Sequence, residues 1–193
     1  MVANSLSPRQ QAIQIARQVI AQKPVFLDTE TTGLEKSDEI IEISIIDDNG
    51  QVLLNSLVRP SQPIPASATG IHGITNEEVQ KSPTWPILWQ TVRPLLLNKV
   101  IVAYNSDFDY RMLQQSLARY RLPWKDNLNF FDLLKLHSQF RGEWDSNRRQ
   151  WRYFSLDAAG KAANIPLPNA HRATADTLLT RALLHFIAGD PVA

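Results

Sequence analysis

Apolar residues recur along this chain with two different periods, and the switches between them divide it into elements. In SLSPRQQAIQIARQVIAQ, Ile13, Ala16, Val19 and Ile20 fall on one helix face and Pro8 is tolerated in a first turn, so the spacing predicts an amphipathic leading helix. PVFLD (Pro24 to Asp28) is a short apolar run suited to a buried strand, and the polar TTGLEKSDE stretch separates it from IIEISII, a β-branched strand. DDNG (Asp47 to Gly50) supplies turn residues before QVLLNSLVRP, so three strands in an antiparallel meander are expected. The proline-rich SQPIPASATGIHGIT reads as a loop. Ser82-Pro83 then opens a helix with Leu88, Val92, Leu95 and Leu96 on its apolar face. After a break at Asn98, KVIVAYN reads as a fourth strand, Asp107 to Arg121 as a helix bearing Leu113, Leu117 and Tyr120, NLNFF as a fifth strand, and Asp132 to Phe140 as a further helix. The stretch from Phe140 to Phe154 has no clean period and is expected to be an exposed loop. Ser155 caps a helix to about Ala163, and Asn169 precedes a last helix closed by Gly189. The pattern describes an α/β chain with a mixed five-stranded sheet flanked by helices, organised as one domain: a leading helix over residues 1–23 and a core over 24–189.

Composition adds boundaries to this picture. With 193 residues, 44% hydrophobic and 20% charged, the chain matches an ordinary globular protein and excludes collagenous or low-complexity classes. It has no cysteine, so disulfides, thiolate nucleophiles and Cys-ligated zinc are excluded, and any metal must sit on oxygen or imidazole ligands. No run approaches a membrane span and no secretory signal is evident, so a cytoplasmic protein that does not enter a membrane is the expectation. The net charge of +1 conceals a partition. Residues 28 to 48 hold eight acids and one base, a net −7, which leaves nineteen bases and eleven acids, +8, elsewhere. Carboxylates are concentrated in one segment of an otherwise basic chain.

Four acids are placed to do chemistry. Asp28 and Glu30 stand two apart at a strand end, so their side chains share a face. The same spacing occurs at 107/109 and 143/145, and a simple polar strand end is an equal reading of the pair. Asp176 heads a stripe with Leu179, Leu183 and Ile187 on the last helix and must point inward, where a bare carboxylate is too costly to bury unpaired. Asp109 shares a face with Leu113 and Leu117, although Ser106-x-x-Asp109 also resembles a helix-capping box. Inward acids with no matching bases repel one another, so they make sense around cations, and hard oxygen ligands select Mg²⁺ or Mn²⁺. Two such ions about 4 Å apart stabilise the attacking and leaving oxygens of a phosphodiester displacement. His171, five residues before Asp176, cannot share its helix face and is expected in the preceding loop or first turn, where an imidazole is suited to act as general base; a plain surface histidine is the alternative.

Taken together and in this order, DTETTGL (Asp28 to Leu34), NSDFD (Asn105 to Asp109) and HRATAD (His171 to Asp176) resemble the three motifs of the DEDD exonuclease superfamily, histidine subtype, which includes the proofreading epsilon subunit of bacterial DNA polymerase III, RNase T and oligoribonuclease. The likeness runs from about Pro24 to Ile187. It implies a ribonuclease H-like fold, two Mg²⁺ or Mn²⁺ ions on Asp28, Glu30, Asp109 and Asp176, and His171 as the base that activates water. The implied reaction is 3′ to 5′ removal of nucleoside monophosphates from nucleic acid with a free 3′ end, single-stranded or frayed DNA in the first instance. An exoribonuclease or a non-catalytic nucleic-acid-binding module are the alternatives. The resemblance also implies substrate contacts at Thr31, Leu34, Phe108 and His72, the last of which reads otherwise as a turn residue, and it makes Asp107 a bystander beside Asp109. Tyr104 stands where epsilon-like members often have His. The chain ends soon after the last helix, without the tail that grips a polymerase, so a stand-alone enzyme is expected. Trp144, Trp151, Tyr153 and Phe154 among Arg141, Arg148, Arg149 and Arg152 suit either a single-strand platform or a loop whose aromatics pack on the domain.

Overall fold

The computed structural model describes residues 6–166 and 171–190. Helix α1 (Pro8–Ile20) starts at a reciprocal cap, in which the Ser7 hydroxyl accepts the Gln10 N–H and the Gln10 side chain accepts the Ser7 N–H. Strand β1 (Val25–Thr31) follows, then β2 (Ile40–Asp47) and β3 (Val52–Leu57). The short helix α2 (Ala66–His72) lies within the stretch expected to be a loop, which corrects that expectation, and α3 (Asn76–Val79) follows it. The rest runs α4 (Trp85–Leu96), β4 (Val100–Ala103), α5 (Ser106–Arg119), β5 (Asn129–Asp132) and α6 (Leu133–Arg141). A ribbon of β6 (Trp144–Asp145) and β7 (Gln150–Trp151) comes next, then α7 (Leu156–Ala162) and α8 (Ala173–Ala188). The expected loop at 140–154 is thus partly a hairpin. The expectation for Asn169 falls outside the described residues. Among the described residues no helix is long and apolar enough to cross a membrane.

The five main strands form one mixed sheet in the order β3-β2-β1-β4-β5. β1 pairs antiparallel with β2 and parallel with β4, and β4 pairs parallel with β5, as the reading of a meander followed by buried apolar runs requires. Alternation along β1 sorts its side chains between two cores. Phe26 faces a cluster built with α1, α6 and α8, whereas Val25 and Leu27 face a second cluster built with α4 and α5. By the same period Asp28 and Glu30 emerge on the α8 face and Thr29 on the α5 face.

Helix α8 lies across β1 and β2 because Leu179, Leu183, Leu184 and Ile187 are all fully or nearly buried there. Each such burial contributes about 1.5–3 kcal/mol, enough together to hold carboxylates close that would otherwise separate. At the other end the Arg17 guanidinium donates to the Ala188 carbonyl at 2.9 Å, and Gly189, at φ 86°, closes the helix in the left-handed conformation.

Candidate active site

The site is assembled where the C-terminal end of β1 meets the N-terminal end of α8. Asp28, Glu30 and Asp176 offer carboxylate oxygens that all lie within 4.8 Å of one another, each half-buried. The strand register explains how this is tolerated. Glu30 stands directly opposite Glu42 of β2, a pairing of like charges that costs stability unless one is neutralised. Arg172 neutralises Glu42: its Nη2 and Nε donate to the Glu42 carboxylate at 2.7 and 3.1 Å, and the Ala173 N–H adds a third donor at 3.0 Å. Glu42 is buried, so this pair both caps α8 and fixes the turn on which Asp176 is carried. Glu30 is left facing Asp28 and Asp176. The sequence reading does not single out Glu42, although an acid within the β-branched run IIEISII is the signal of a buried, paired carboxylate.

Most of that segment has structural employment. Asp38 accepts the Thr32 hydroxyl and the Glu35 N–H, both at 2.7 Å, and a β-carbon on Gly33 would stand 2.5 Å from an Asp38 oxygen, which explains glycine in this tight turn. Glu39 accepts the Ser61 hydroxyl and N–H. Asp28 and Glu30 alone in the segment face the site.

Asp109 lies at the start of α5, buried, and accepts the Thr29 hydroxyl at 2.8 Å. It is outside the three-carboxylate cluster, and its charge is among those that raise the Asp28 carboxyl. The capping-box reading of Ser106 and Asp109 is not what the structure holds. The helix is entered through Asn105 in the left-handed conformation, φ 69°, which asparagine tolerates, with no side-chain cap. Asp107, by contrast, is exposed and pairs with Lys135 at 2.9 Å, away from the cluster.

Burial dominates the electrostatics of these acids. It holds the Asp28 carboxyl well above the usual carboxylate range, with repulsion from Asp109, Glu30 and Asp176 adding to it. Glu30 is pushed up to about 8 by burial and by Asp176 and Glu42, against a partial offset from Arg172. Asp109 is raised to about 7 by burial, opposed by the Thr29 hydroxyl. Asp176 is raised by burial and lowered in part by His171. Clustered carboxylates with no paired base are a fit for a hard divalent cation, since a cation relieves both the repulsion and the desolvation.

A consequence can be measured. A raised folded-state pKa means that the folded protein holds protons the unfolded chain has released, so the stability of the metal-free protein falls as pH rises toward the folded values. His72 and His137 are shifted the other way by burial, His137 to about 4, and that contribution is already complete above about pH 7. From about pH 7 to 9 the melting temperature in EDTA is therefore expected to fall by several degrees, and saturating Mg²⁺ or Mn²⁺ to restore it. A flat or rising EDTA curve over that window would contradict the raised acids.

His171 is exposed, in the left-handed conformation at φ 68°, immediately before the Arg172 cap. It lines a cavity of about 210 Å³ with Asp28, Asp176, Tyr104, Ser155, Leu156, Asp157 and Leu179. Loop placement thus brings together groups that a continuous helix would have kept apart. The same five-residue spacing at His185 and Asp190 ends differently: there ring and carboxylate bond each other at 2.9 Å across the end of α8. Tyr104 is held in the cavity wall by donating its hydroxyl to the Phe154 carbonyl at 2.8 Å.

A second cavity, about 350 Å³, opens on the far side of Glu30. Thr31, Leu34, His72 and Phe108, the four expected substrate residues, all line it, together with Ala68 and Ile71 of α2, which the sequence reading did not single out. Leu34 and Ile71 are 70% and 63% exposed, so their apolar surface faces the opening. His72 is buried. Its Nδ1 accepts the Ile74 N–H at 3.0 Å, which puts the proton of the neutral ring on Nε2, and Nε2 has no hydrogen-bond partner among the described residues. The buried His72 ring and an apolar clamp share one cavity next to the carboxylates.

Comparisons with known proteins give the chain a family. The exonuclease family model matches residues 25–184. An uncharacterized exonuclease of Escherichia phage 186 is 37% identical over 182 residues, covering 91% of this chain and 93% of the phage protein. Among solved structures, exonuclease X in complex with 5′-overhanging duplex DNA superposes with a TM-score of 0.64 at 26% identity, covering 87% of this chain and 94% of that one. Escherichia coli exonuclease I in complex with a dA16 oligonucleotide gives 0.69 at 22% identity; this chain spans only 40% of its length, and the likeness is one of fold. The chain belongs to the exonuclease family, in its DEDD 3′–5′ branch, and is an enzyme of that kind.

Proposed function

We propose that this exonuclease trims DNA from single-stranded or frayed 3′ ends, one nucleoside monophosphate at a time, with two Mg²⁺ or Mn²⁺ ions held by Asp28, Glu30, Asp109 and Asp176. The observation that carries the reading is the adjacency of a carboxylate cluster, a histidine at its rim and a cavity walled by Leu34, Ile71, His72 and Phe108. Preference for DNA draws support from the DNA complexes of exonuclease X and exonuclease I, the structures this chain superposes on.

In this reading the terminal nucleotide enters the cavity of Leu34, Ile71 and Phe108, whose apolar surfaces accept a base face, while the His72 Nε2 proton is given to the backbone of the substrate. Asp28, Glu30 and Asp176, on the α8 side of the sheet, would hold the cations, with Asp109, which accepts the Thr29 hydroxyl, as the fourth carboxylate of the set. The bound cations supply Lewis-acid stabilisation of the attacking and leaving oxygens. His171, on its exposed turn, takes the proton from the attacking water. The Glu42–Arg172 pair keeps that turn and Asp176 in register with β1.

A single assay tests this. DNA and RNA oligonucleotides labelled at the 5′ end are expected to shrink in single-nucleotide steps from the 3′ end with Mg²⁺, to remain intact in EDTA or with a blocked 3′ end, and to disappear faster as DNA. A mobility shift without shortening would overturn the catalytic reading, and faster loss of RNA would overturn the substrate assignment.

A further inference from the structure

The β6–β7 hairpin resolves the two readings of the aromatic and arginine-rich segment into a division of labour. Its inner members are structural. Phe154 packs edge-on against buried His137, and Arg141 and Arg152 lie over its ring at 5.0 and 5.6 Å while sharing Glu143 as their ion-pair partner. Its outer members have no such employment. Trp144 stands opposite Trp151 in the ribbon register, the two rings edge-to-face at 5.1 Å, yet Trp144 is 56% exposed. Arg148 reaches Asp145 only at 3.9 Å, and Arg149 pairs with no acid among the described residues. Both arginines are exposed at the tip of the hairpin.

Position gives these groups a use. Strand β7 runs directly into Ser155, Leu156 and Asp157, which wall the cavity containing His171, Asp28 and Asp176, and the Tyr104 hydroxyl ties the connecting segment to that wall. Ser155 stands four positions after Trp151, a span of at most about 14 Å. We infer that the hairpin is a second binding surface for the substrate strand, in which Trp144 stacks on a base upstream of the terminal nucleotide and Arg148 and Arg149 contact its phosphates. The inference rests on the exonuclease reading above and adds to it the place where the remainder of the strand lies. An exposed planar aromatic on a hairpin whose tip carries two exposed arginines is complementary to single-stranded nucleic acid, which offers base faces and phosphates in alternation; a folded protein partner offers neither at this repeat.

The test compares substrates of two lengths. On a single-stranded DNA of about 20 nucleotides, Trp144→Ala and the double variant Arg148→Ala/Arg149→Ala are each expected to raise KM about 10-fold or more, with kcat little changed, as loss of one stacked base implies. On the p-nitrophenyl ester of thymidine 5′-monophosphate, which cannot reach the hairpin, both variants are expected to match the parent protein. Trp144→Phe should recover most of the long-substrate KM, and the double variant should flatten the salt dependence of oligonucleotide binding by about 0.7 in log–log slope per lost phosphate contact. Unchanged KM and salt slope on the long substrate overturn the inference and leave the hairpin as a surface for some other partner. Equal loss on the short ester overturns it too, since the hairpin would then act on the catalytic centre itself. Failure of the parent protein to cleave either substrate would instead sink the exonuclease reading.

Discussion

Asp28→Asn is expected to abolish trimming and, at the same time, to raise the melting temperature of the metal-free protein. Both effects come from one charge. Asp28 is the acid on which the others converge: burial and the charges of Asp109, Glu30 and Asp176 all act against its ionised form. An amide of the same shape removes that repulsion, and each 1 kcal/mol regained is worth about 2–4 °C in a domain of this size. In the proposed reading it also removes a charged ligand, and loss of the charge stabilisation a divalent ion would supply, several kcal/mol, corresponds to about 10³-fold or more in kcat. The variant should therefore melt higher than the parent in EDTA, gain little on adding Mg²⁺ or Mn²⁺, and leave a 5′-labelled oligonucleotide intact. Stability and activity trade against each other at such a site because its carboxylates are placed for a cation and strained without one. A variant that still trims at the parent rate, or that is stabilised by the metal as the parent is, would remove Asp28 from the ligand set.

How far these features can be read from residue order depends on the range of the interaction. The strands announce themselves locally, since IIEISII and VIVA are β-branched runs bounded by turn residues, and the inward stripe of α8 follows from Leu179, Leu183 and Ile187 at helical spacing. The Asp28–Glu30 pair is equally local. Helix α2 escaped because Pro60, Pro63, Pro65 and two glycines around ASATGIH argue for a loop. In the structure Pro65 precedes the first turn, where it forgoes no helical hydrogen bond, and Gly73 closes the last turn at φ 75°. Those residues marked the ends of a short helix, and with it went Ile71 in the cavity wall. The β6–β7 ribbon has strands of two residues each, too short to show a period. Glu42 and Arg172 stand 130 residues apart, so nothing in the neighbourhood of either names the other. Convergence of His171 with Asp28 is likewise a product of packing, of α8 laid across β1 by its buried leucines.

That packing places the second large effect at His171. The imidazole is exposed and lines the cavity that Asp28 and Asp176 share, and it contributes to holding the Asp176 carboxyl down against burial. A group at the rim of a carboxylate cluster can receive a proton from water without competing for cations that the acids would hold in the proposed reading. Removing it is expected to cost about 10² to 10⁴ in kcat, the range for a lost general base, while the melting-temperature rise produced by Mg²⁺ or Mn²⁺ persists. The substitution must respect the backbone. His171 sits at φ 68°, where alanine is strained and asparagine is tolerated, so His171→Asn separates loss of the base from distortion of the turn that carries Arg172 and Asp176. His171→Asn and His171→Ala should be equally impaired if the ring itself is what matters. Should His171→Asn keep parent activity from about pH 6 to 9, the base is another group; should it lose the metal-induced stabilisation as well, His171 holds the site together and takes no proton.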